Sequence, residues 1–357
     1  MAVSIALLHL ASGVQKTEKE KTWILIYMAG FWIIMTWQQK QEVGNSVGVH
    51  NSRGSGSVGG CILLDDPEYN LRPRLCFLTC HHVVATADIK TNLGASMQPL
   101  PLVGMKSQET AAYGQMRSPS KDDYEKTLQS LKVKLDRVRQ IDLKSNRACP
   151  RKPDRRLNLL LAQQQPIGSV IASSGIRVAE CTEGGSVFRR KMDRAIVEFD
   201  DETRFNPIYA PDPDRVVNLF QGESYYMNNS EEVTEAANLA LGQWVCMRGR
   251  TSGHASGTVN MIAMDVHDAG LGIGPHQEMI VVRSRQDNTW SWADFGDSGS
   301  FFYDAMGRVV ALRTAELFPT YIFNGDYAGV TPIQQVFADI ARQCGGARLQ
   351  GSARTMI

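Results

Sequence analysis

Three short stretches of this chain hold residues whose types and spacing suit acyl transfer. Phe295-Gly296-Asp297-Ser298-Gly299-Ser300 presents a hydroxyl in a glycine-rich turn, where the missing side chain of Gly296 leaves a backbone N–H open to a substrate. Leu78-Thr79-Cys80-His81-His82-Val83-Val84 sets an imidazole at the end of an apolar, strand-like run. Asp193-Arg194-Ala195-Ile196-Val197-Glu198-Phe199 opens a second such run with an acid. Serine is a poor nucleophile at neutral pH and needs a base within roughly 2.6–3.2 Å. Histidine suits that role, because its ordinary pKa of about 6.5 lets it take a proton and return it. A buried carboxylate behind the ring fixes its tautomer, and each N–H aimed at a developing oxyanion lowers the barrier by about 3 kcal/mol.

Thr79-x-x-His82-Val83, Asp193-x-Ala195-x-Val197 and Gly296-Asp297-Ser298-Gly299 resemble the three signatures of the chymotrypsin/trypsin-like serine peptidases, in that family's chain order. Gly249-Arg250-Thr251-Ser252-Gly253, Gly257-Thr258-Val259, Gly307-Arg308-Val309-Val310-Ala311-Leu312 and Ala328-Gly329-Val330-Thr331-Pro332-Ile333 support the match. It runs from Gly44 to Arg342, apart from an insertion between His82 and Asp193, and is nearest the disulfide-free HtrA-like and fungal trypsin-like group. The resemblance implies an all-β fold of two Greek-key barrels and a serine endopeptidase acting on polypeptides through an acyl-enzyme. His82 would be the base, Asp193 its orienting acid and Ser298 the nucleophile, with Gly296 and Ser298 supplying the oxyanion-hole N–H groups. No cofactor is implied, and no Cys-x-x-Cys or His-x-x-x-His spacing suggests a metal.

Competing residues stand beside each of these. His81 precedes His82, Asp200 and Asp201 follow rather than open the apolar run, and Cys80 reads as a buried strand residue. Zymogen-type relatives pair the acid before the nucleophile with a freshly cut N-terminus. No Arg-Ile-Val-Gly-Gly site occurs here, so Asp297 is expected to support its own turn and the chain to act unprocessed. Trp292 stands where trypsin itself has its pocket floor, and Thr314, Ala315 and Glu316 are expected on one wall. An indole offers no anion for Lys or Arg, so a shallow pocket for small or medium apolar side chains is expected. Two other functions compete. A catalytically silent relative would keep the fold as a protein-binding module, its site blocked by Phe295 or by the insertion. An α/β-hydrolase would need Gly-x-Ser-x-Gly and the order Ser, Asp, His, whereas position 300 is Ser and the order is reversed.

The elements that must carry these residues can be read from texture. The 357 residues suffice for one large core or two modest ones, and 31 glycines among short apolar runs favour a turn-rich β protein. Residues 44–205 form the expected first barrel, 206–235 a polar linker, 236–344 the second barrel and a closing helix begun by Thr331-Pro332, and 345–357 a loose tail. Within 118–165 the pattern changes: Ser118-Pro119-Ser120 can cap a helix, and Tyr124, Leu128, Leu131, Leu135 and Val138 recur at helical steps. A second short helix over 155–165 would complete a helical hairpin, read first as a packed decoration and second as a partner-docking or gating arm. Thirty-eight basic residues against 37 acidic ones leave no clustered excess for nucleic acid.

Residues 1–43 form an extension outside the resemblance. Trp23 to Trp37 is apolar, but its fifteen residues span roughly 22 Å as a helix against a hydrocarbon core of roughly 30 Å. A packed helix or strand, or a stretch without regular order, is expected there, with membrane association as the alternative. Seven cysteines lack the placements of the family's disulfides, since Val83 and Asp294 occupy two of those positions. They read as buried small hydrophobes in a reducing, intracellular and cytoplasmic setting. Oligomeric state is not legible.

Overall fold

The computed structural model describes residues 44–65, 73–85, 113–145, 166–183, 185–201, 235–266, 274–283, 295–315, 327–344 and 347–349. The extension 1–43, almost all of the linker, the stretch 155–165, Trp292 and Glu316 lie outside them. No helix among the described residues is long and apolar enough to cross a membrane.

Among the described residues, seven strands precede the linker: β1 (Ser46–Val49), β2 (Gly56–Ser57), β3 (Gly60–Leu64), β4 (Arg74–Thr79), β5 (Gln115–Arg117), β6 (Gly168–Glu183) and β7 (Ser186–Phe199). A one-turn helix, α1 (His81–Val84), follows β4, and α2 (Lys121–Ser145) follows β5. The second half holds β8 (Trp244–Gly249), β9 (Gly253–Val259), β10 (Met264–Val266), β11 (His276–Arg283), β12 (Phe301–Tyr303), β13 (Val309–Ala315), β14 (Tyr327–Pro332), α3 (Ile333–Cys344) and β15 (Ala347–Leu349).

The first sheet is ordered β15-β3-β4-β7-β6-β5-β1-β2, with antiparallel neighbours. Only Val58 and Gly59 separate β2 from β3 along the chain, although the two stand near opposite ends of that order, so the sheet curls round on itself. Val58 N–H donates to Asn45 O (2.9 Å) at this closure. The second sheet runs β10-β11-β14-β13-β12-β8-β9, and β11 also pairs with β9, which shuts a six-stranded ring. This is the expected chymotrypsin-like fold of two Greek-key barrels with a C-terminal helix, and of the expected helical insertion the first arm, α2, is described.

Apolar strands bury both faces. Leu75 to Thr79 of β4 are all buried, on both sides of the strand. One core joins Val47, Ile62, Phe77, Leu78, Ile171 and Ile196 to Phe301, Tyr303 and Leu312. It takes in Ile333, Val336, Phe337 and Ile340 on one stripe of α3, the stripe read from sequence. The other core, with Val245, Met247, Val281, Phe302 and Ala311, fills the second barrel. Cys61, Cys76, Cys80, Cys181, Cys246 and Cys344 are free and buried, as expected of small hydrophobes.

Three boundaries differ from expectation. Helix α3 begins after Pro332 rather than at Thr331, because Thr331 and Pro332 remain paired in β14 and the Thr331 hydroxyl donates to Lys191 O (3.1 Å) instead of capping. The runs Ile167 to Ile171 and Ile176 to Val178 read in the sequence as two short strands, but Gly168–Glu183 is one strand, β6, whose register shifts between Val170 and Ala172 and between Ser173 and Gly175 absorb the apparent break. Residues 347–349, expected in a loose tail, pair with the free edge of β3.

A buried ionic cluster ties α3 to the first barrel. The Asp339 carboxylate is fully buried; it accepts from Arg194 Nε (3.1 Å), Arg177 Nη2 and Arg342 Nη2 (3.3 Å), while Arg194 Nη2 donates to Gln343 Oε1 (2.7 Å). Removing one partner of a buried pair strands the other, at a cost of about 3–5 kcal/mol. Asp339→Ala is therefore expected to destabilise the chain by about that much, read as a lower urea midpoint with an unchanged slope.

Candidate active site

Strand pairing brings the acid to the base. Thr79 of β4 stands opposite Ala195 of β7, so Asp193 lies two residues further along β7, beside the turn α1 that begins just after β4. His82 is carried by α1 rather than by the strand end itself. Its Nδ1 lies 2.6 Å from Asp193 Oδ2, and its backbone N–H donates to Asp193 Oδ1 at 3.1 Å. Both carboxylate oxygens are thus engaged by one residue, which fixes the ring plane as well as the tautomer that puts a proton on Nδ1. Burial pushes the Asp193 carboxyl up, but the charge and hydrogen bond of His82, helped by Lys191 and His81, overcome it and hold its pKa at about 2.

Ser298 is held near α1 by main chain from both barrels, and a β-carbon at Gly56 would touch both Val83 and Ser298 O. Ser298 O accepts from Ser57 N–H of β2 (2.8 Å), and Gly299 N–H donates to Arg313 O of β13 (2.9 Å). Thr79 Oγ1 donates to Ser57 O (2.9 Å), so the last residue of β4, just ahead of α1, grips the strand that grips Ser298. Close approach dictates glycine at 299: its φ is +94°, and a β-carbon there would collide with Ser57 O and Thr79 Oγ1. The turn closes on itself through Ser300 Oγ, which donates to Asp297 O (2.7 Å). Among the described residues no hydrogen bond joins Ser298 to His82, and no acceptor takes the N–H of Gly296 or of Ser298. Asp297 does support its own turn, as expected. Its fully buried carboxylate accepts from Thr251 N–H (2.6 Å), Ser252 N–H (3.1 Å) and Ser252 Oγ (2.5 Å).

The competitors fall away. His81 is buried, with Nδ1 2.7 Å from Ser173 Oγ and its ring edge-on to Tyr113. Asp200 and Asp201 are exposed beyond the end of β7. Cys80 Sγ lies within 4.8 Å of the ligand atoms of His82 and Asp193, a grouping that could hold a soft divalent ion. Burial and the Asp193 charge, however, push the thiol well above its ordinary range, and Sγ donates to Arg313 O (3.1 Å). A metal there would have to displace that proton and break the His82–Asp193 bond. Of the expected pocket residues, Thr314 is buried, its hydroxyl oxygen 3.5 Å from that of Thr331, and Ala315 ends β13; Trp292 and Glu316 are among the residues not described.

Sequence reasoning missed one side chain of the site. Arg250, beside the Gly296 turn, is clasped by Asp123 of α2. The cue was faint: two acids after Ser120 read only as favourable charges in a helix's first turn.

No family model and no curated protein sequence matches the chain. Solved structures of similar fold include Thermobifida fusca protease A, at 13% identity over 86% of this chain and 97% of that one with a TM-score of 0.40. A Nocardiopsis protease is 12% identical over 87% and 98%, also with a TM-score of 0.40. A glutamic-acid-specific serine protease, described as using a histidine triad in substrate binding, is 12% identical over 84% and 97% with a TM-score of 0.38. Likenesses this distant leave the chemistry to the residues themselves.

Because the Asp193 carboxyl sits at about 2 against an ordinary 3.8, it favours the folded state above pH ~4 and loses that effect as pH falls through 2. The difference amounts to roughly 2 kcal/mol. Urea unfolding between pH 5 and pH 2 (about) should therefore show a shallower acid loss in Asp193→Asn than in the wild type; equal slopes would exclude the linkage.

Proposed function

We propose that the chain is a serine endopeptidase. The observation that carries this reading is the two-point clasp of His82 by Asp193, at 2.6 Å through the ring and 3.1 Å through the backbone. With Nδ1–H engaged, Nε2 is left as the acceptor for a serine proton. Ser298 attacks a peptide carbonyl, His82 takes the hydroxyl proton and passes it to the leaving amine, and a water then releases the acyl group by the reverse path. The N–H groups of Gly296 and Ser298 receive the oxyanion. Asp193, held ionised, stabilises the imidazolium without taking its proton. A polypeptide substrate is the one this chemistry suits, because the acyl-transfer relay acts on a peptide carbonyl and an amine leaving group. Six buried free thiols suit a reducing, intracellular compartment.

The missing Ser298–His82 hydrogen bond favours one other reading, a silent fold kept for binding, although such bonds are often long before substrate arrives. A fluorophosphonate probe separates the two. Labelling at Ser298 is expected in the wild type and none in Ser298→Ala; a folded wild type that stays unlabelled assigns the silent fold. Asp193→Asn should keep the fold and lower kcat on the order of 10⁴-fold, because the wrong tautomer then faces the serine.

Thr251 and Ser252 supply three donors to Asp297, so its turn is supported without a new N-terminus. The intact chain is accordingly expected to be active, and trimming to Gly44 to leave kcat within about twofold. Activity that arises only after such a cut would overturn this.

A further inference from the structure

The loop that would form the oxyanion hole is braced by a contact from outside both barrels. Arg250 follows β8 and lies across the Gly296 turn. Its backbone N–H donates to Ser57 Oγ (2.9 Å), and Ser57 Oγ donates to Gly296 O (3.0 Å). Its guanidinium fills the space beside the Gly296 α-carbon: φ there is +96°, and a β-carbon would collide with Arg250 Nη1. Nη1 also donates to Thr251 Oγ1 (3.2 Å), whose hydroxyl donates to Phe295 O (2.6 Å). The Phe295 and Gly296 carbonyls, which flank the peptide units of the candidate hole, are thus both fixed through Arg250 or its neighbour.

An arginine left to itself would sample many rotamers, so something must hold this one. Its Nε and Nη2 donate to the two oxygens of Asp123, a planar two-point pairing that sets the guanidinium's direction. Asp123 sits in the first turn of α2, where Ser120 Oγ accepts from its N–H (3.4 Å) and Ser46 Oγ donates to its carboxylate. The adjacent Asp122 accepts from Gly54 N–H (3.2 Å), so the start of α2 is anchored to the first barrel at two points. Burial pushes the Asp123 carboxyl up, yet the bonds from Arg250 and Ser46 outweigh it and leave the group below the usual range. The Arg250 guanidinium is raised, Asp123 outweighing the opposite effect of burial.

We propose that Asp123 is a positioning residue for the oxyanion hole, acting through Arg250, so that the start of the inserted helix α2 sets the rate of the reaction rather than merely decorating the barrel. The proposal rests on the serine-hydrolase reading above.

The full-length chain tests it without knowledge of the natural substrate. The second-order rate of Ser298 labelling by a fluorophosphonate reports the hole, because the phosphoryl oxygen must seat in it. Modification of His82 by diethyl pyrocarbonate, followed at that residue by mass spectrometry, reports the imidazole alone. Asp123→Asn is expected to slow labelling about 10- to 100-fold, less than the roughly 10²- to 10³-fold loss of a whole oxyanion donor. The His82 rate and Tm should change little, Asp123→Glu should recover most of the labelling rate, and Lys126→Ala on the exposed side of α2 should leave it unchanged. Adding Asp123→Asn to Arg250→Gln should cost nothing further, since both changes break one pairing. Should Asp123→Asn fail to fold, Arg250→Lys, which keeps the charge and loses the fork, is expected to show the same selective slowing. Labelling within twofold of wild type in the folded variants overturns the proposal, and so does a parallel fall in labelling, His82 modification and Tm, which would make the contact structural only. An unlabelled wild type would sink the hydrolase reading and this one with it, whereas a labelled wild type matched by its variants sinks this one alone.

Discussion

Strand β7 must bury two opposite charges in consecutive residues, Asp193 and Arg194, and the rest of the molecule is arranged around that demand. Side chains alternate across a strand, so the two point to opposite faces. Asp193 faces α1 and finds His82; Arg194 faces α3 and finds Asp339. Neither charge could be left in a dry interior without its partner. The register of β7 is therefore pinned from both sides, and a slip of one residue would exchange the faces and strand both groups. The site inherits its precision from this double constraint: α3 fixes Arg194, Arg194 fixes β7, and β7 aims the carboxylate at the imidazole. Helix α3, far along the chain from His82, is thus part of what orients the His82–Asp193 pair.

The turn that carries Ser298 is held differently, by main chain more than by charge. Ser298 and Gly299 are bonded to Ser57 on one side and Arg313 on the other, one contact from each barrel. Backbone contacts of this kind allow little drift but demand close approach, hence glycine at 299. The two halves of the candidate relay consequently depend on different physics. The His82–Asp193 half is electrostatic and sensitive to acid, while the Ser298 half is steric and sensitive to added atoms.

What could be read from the sequence divides along the same line. The pairing of His82 with Asp193 and the glycine turn around Ser298 were legible because each is embedded in a local frame, an apolar strand before His82 and another around Asp193, and local frames survive folding. The apolar stripe of α3 was legible for the same reason. What escaped depends on partners distant along the chain. Thr331 looked like a cap, but Lys191 O claimed its hydroxyl; Ser173-Ser174-Gly175 looked like a break, but Ser174 Oγ bonds Arg194 O (3.2 Å) across a bulge. Residues 347–349 carry no strong strand signal, and it is the open edge of β3 that makes a strand of them. Asp123 and Arg250 stand 127 residues apart, and nothing in either neighbourhood announces the other.

That last pair changes the sense of the insertion. The segment Arg250–Ser252 is gripped by two carboxylates of separate origin, Asp297 from the nucleophile turn taking its backbone donors and Asp123 from α2 taking its side chain. Donors that stabilise a transient anion are effective only when they need no reorganisation at the moment of reaction. A turn containing two glycines at positive φ, Gly296 and Gly299, has every opportunity to reorganise. Two independent clamps on the segment packed against it remove that freedom from opposite sides. An ornamental helix would not need to reach across to the second barrel's loop with a two-point ion pair, and a loop rigid by its own sequence would not need to be reached. The pairing is best understood as the means by which a flexible, glycine-rich turn is kept preorganised.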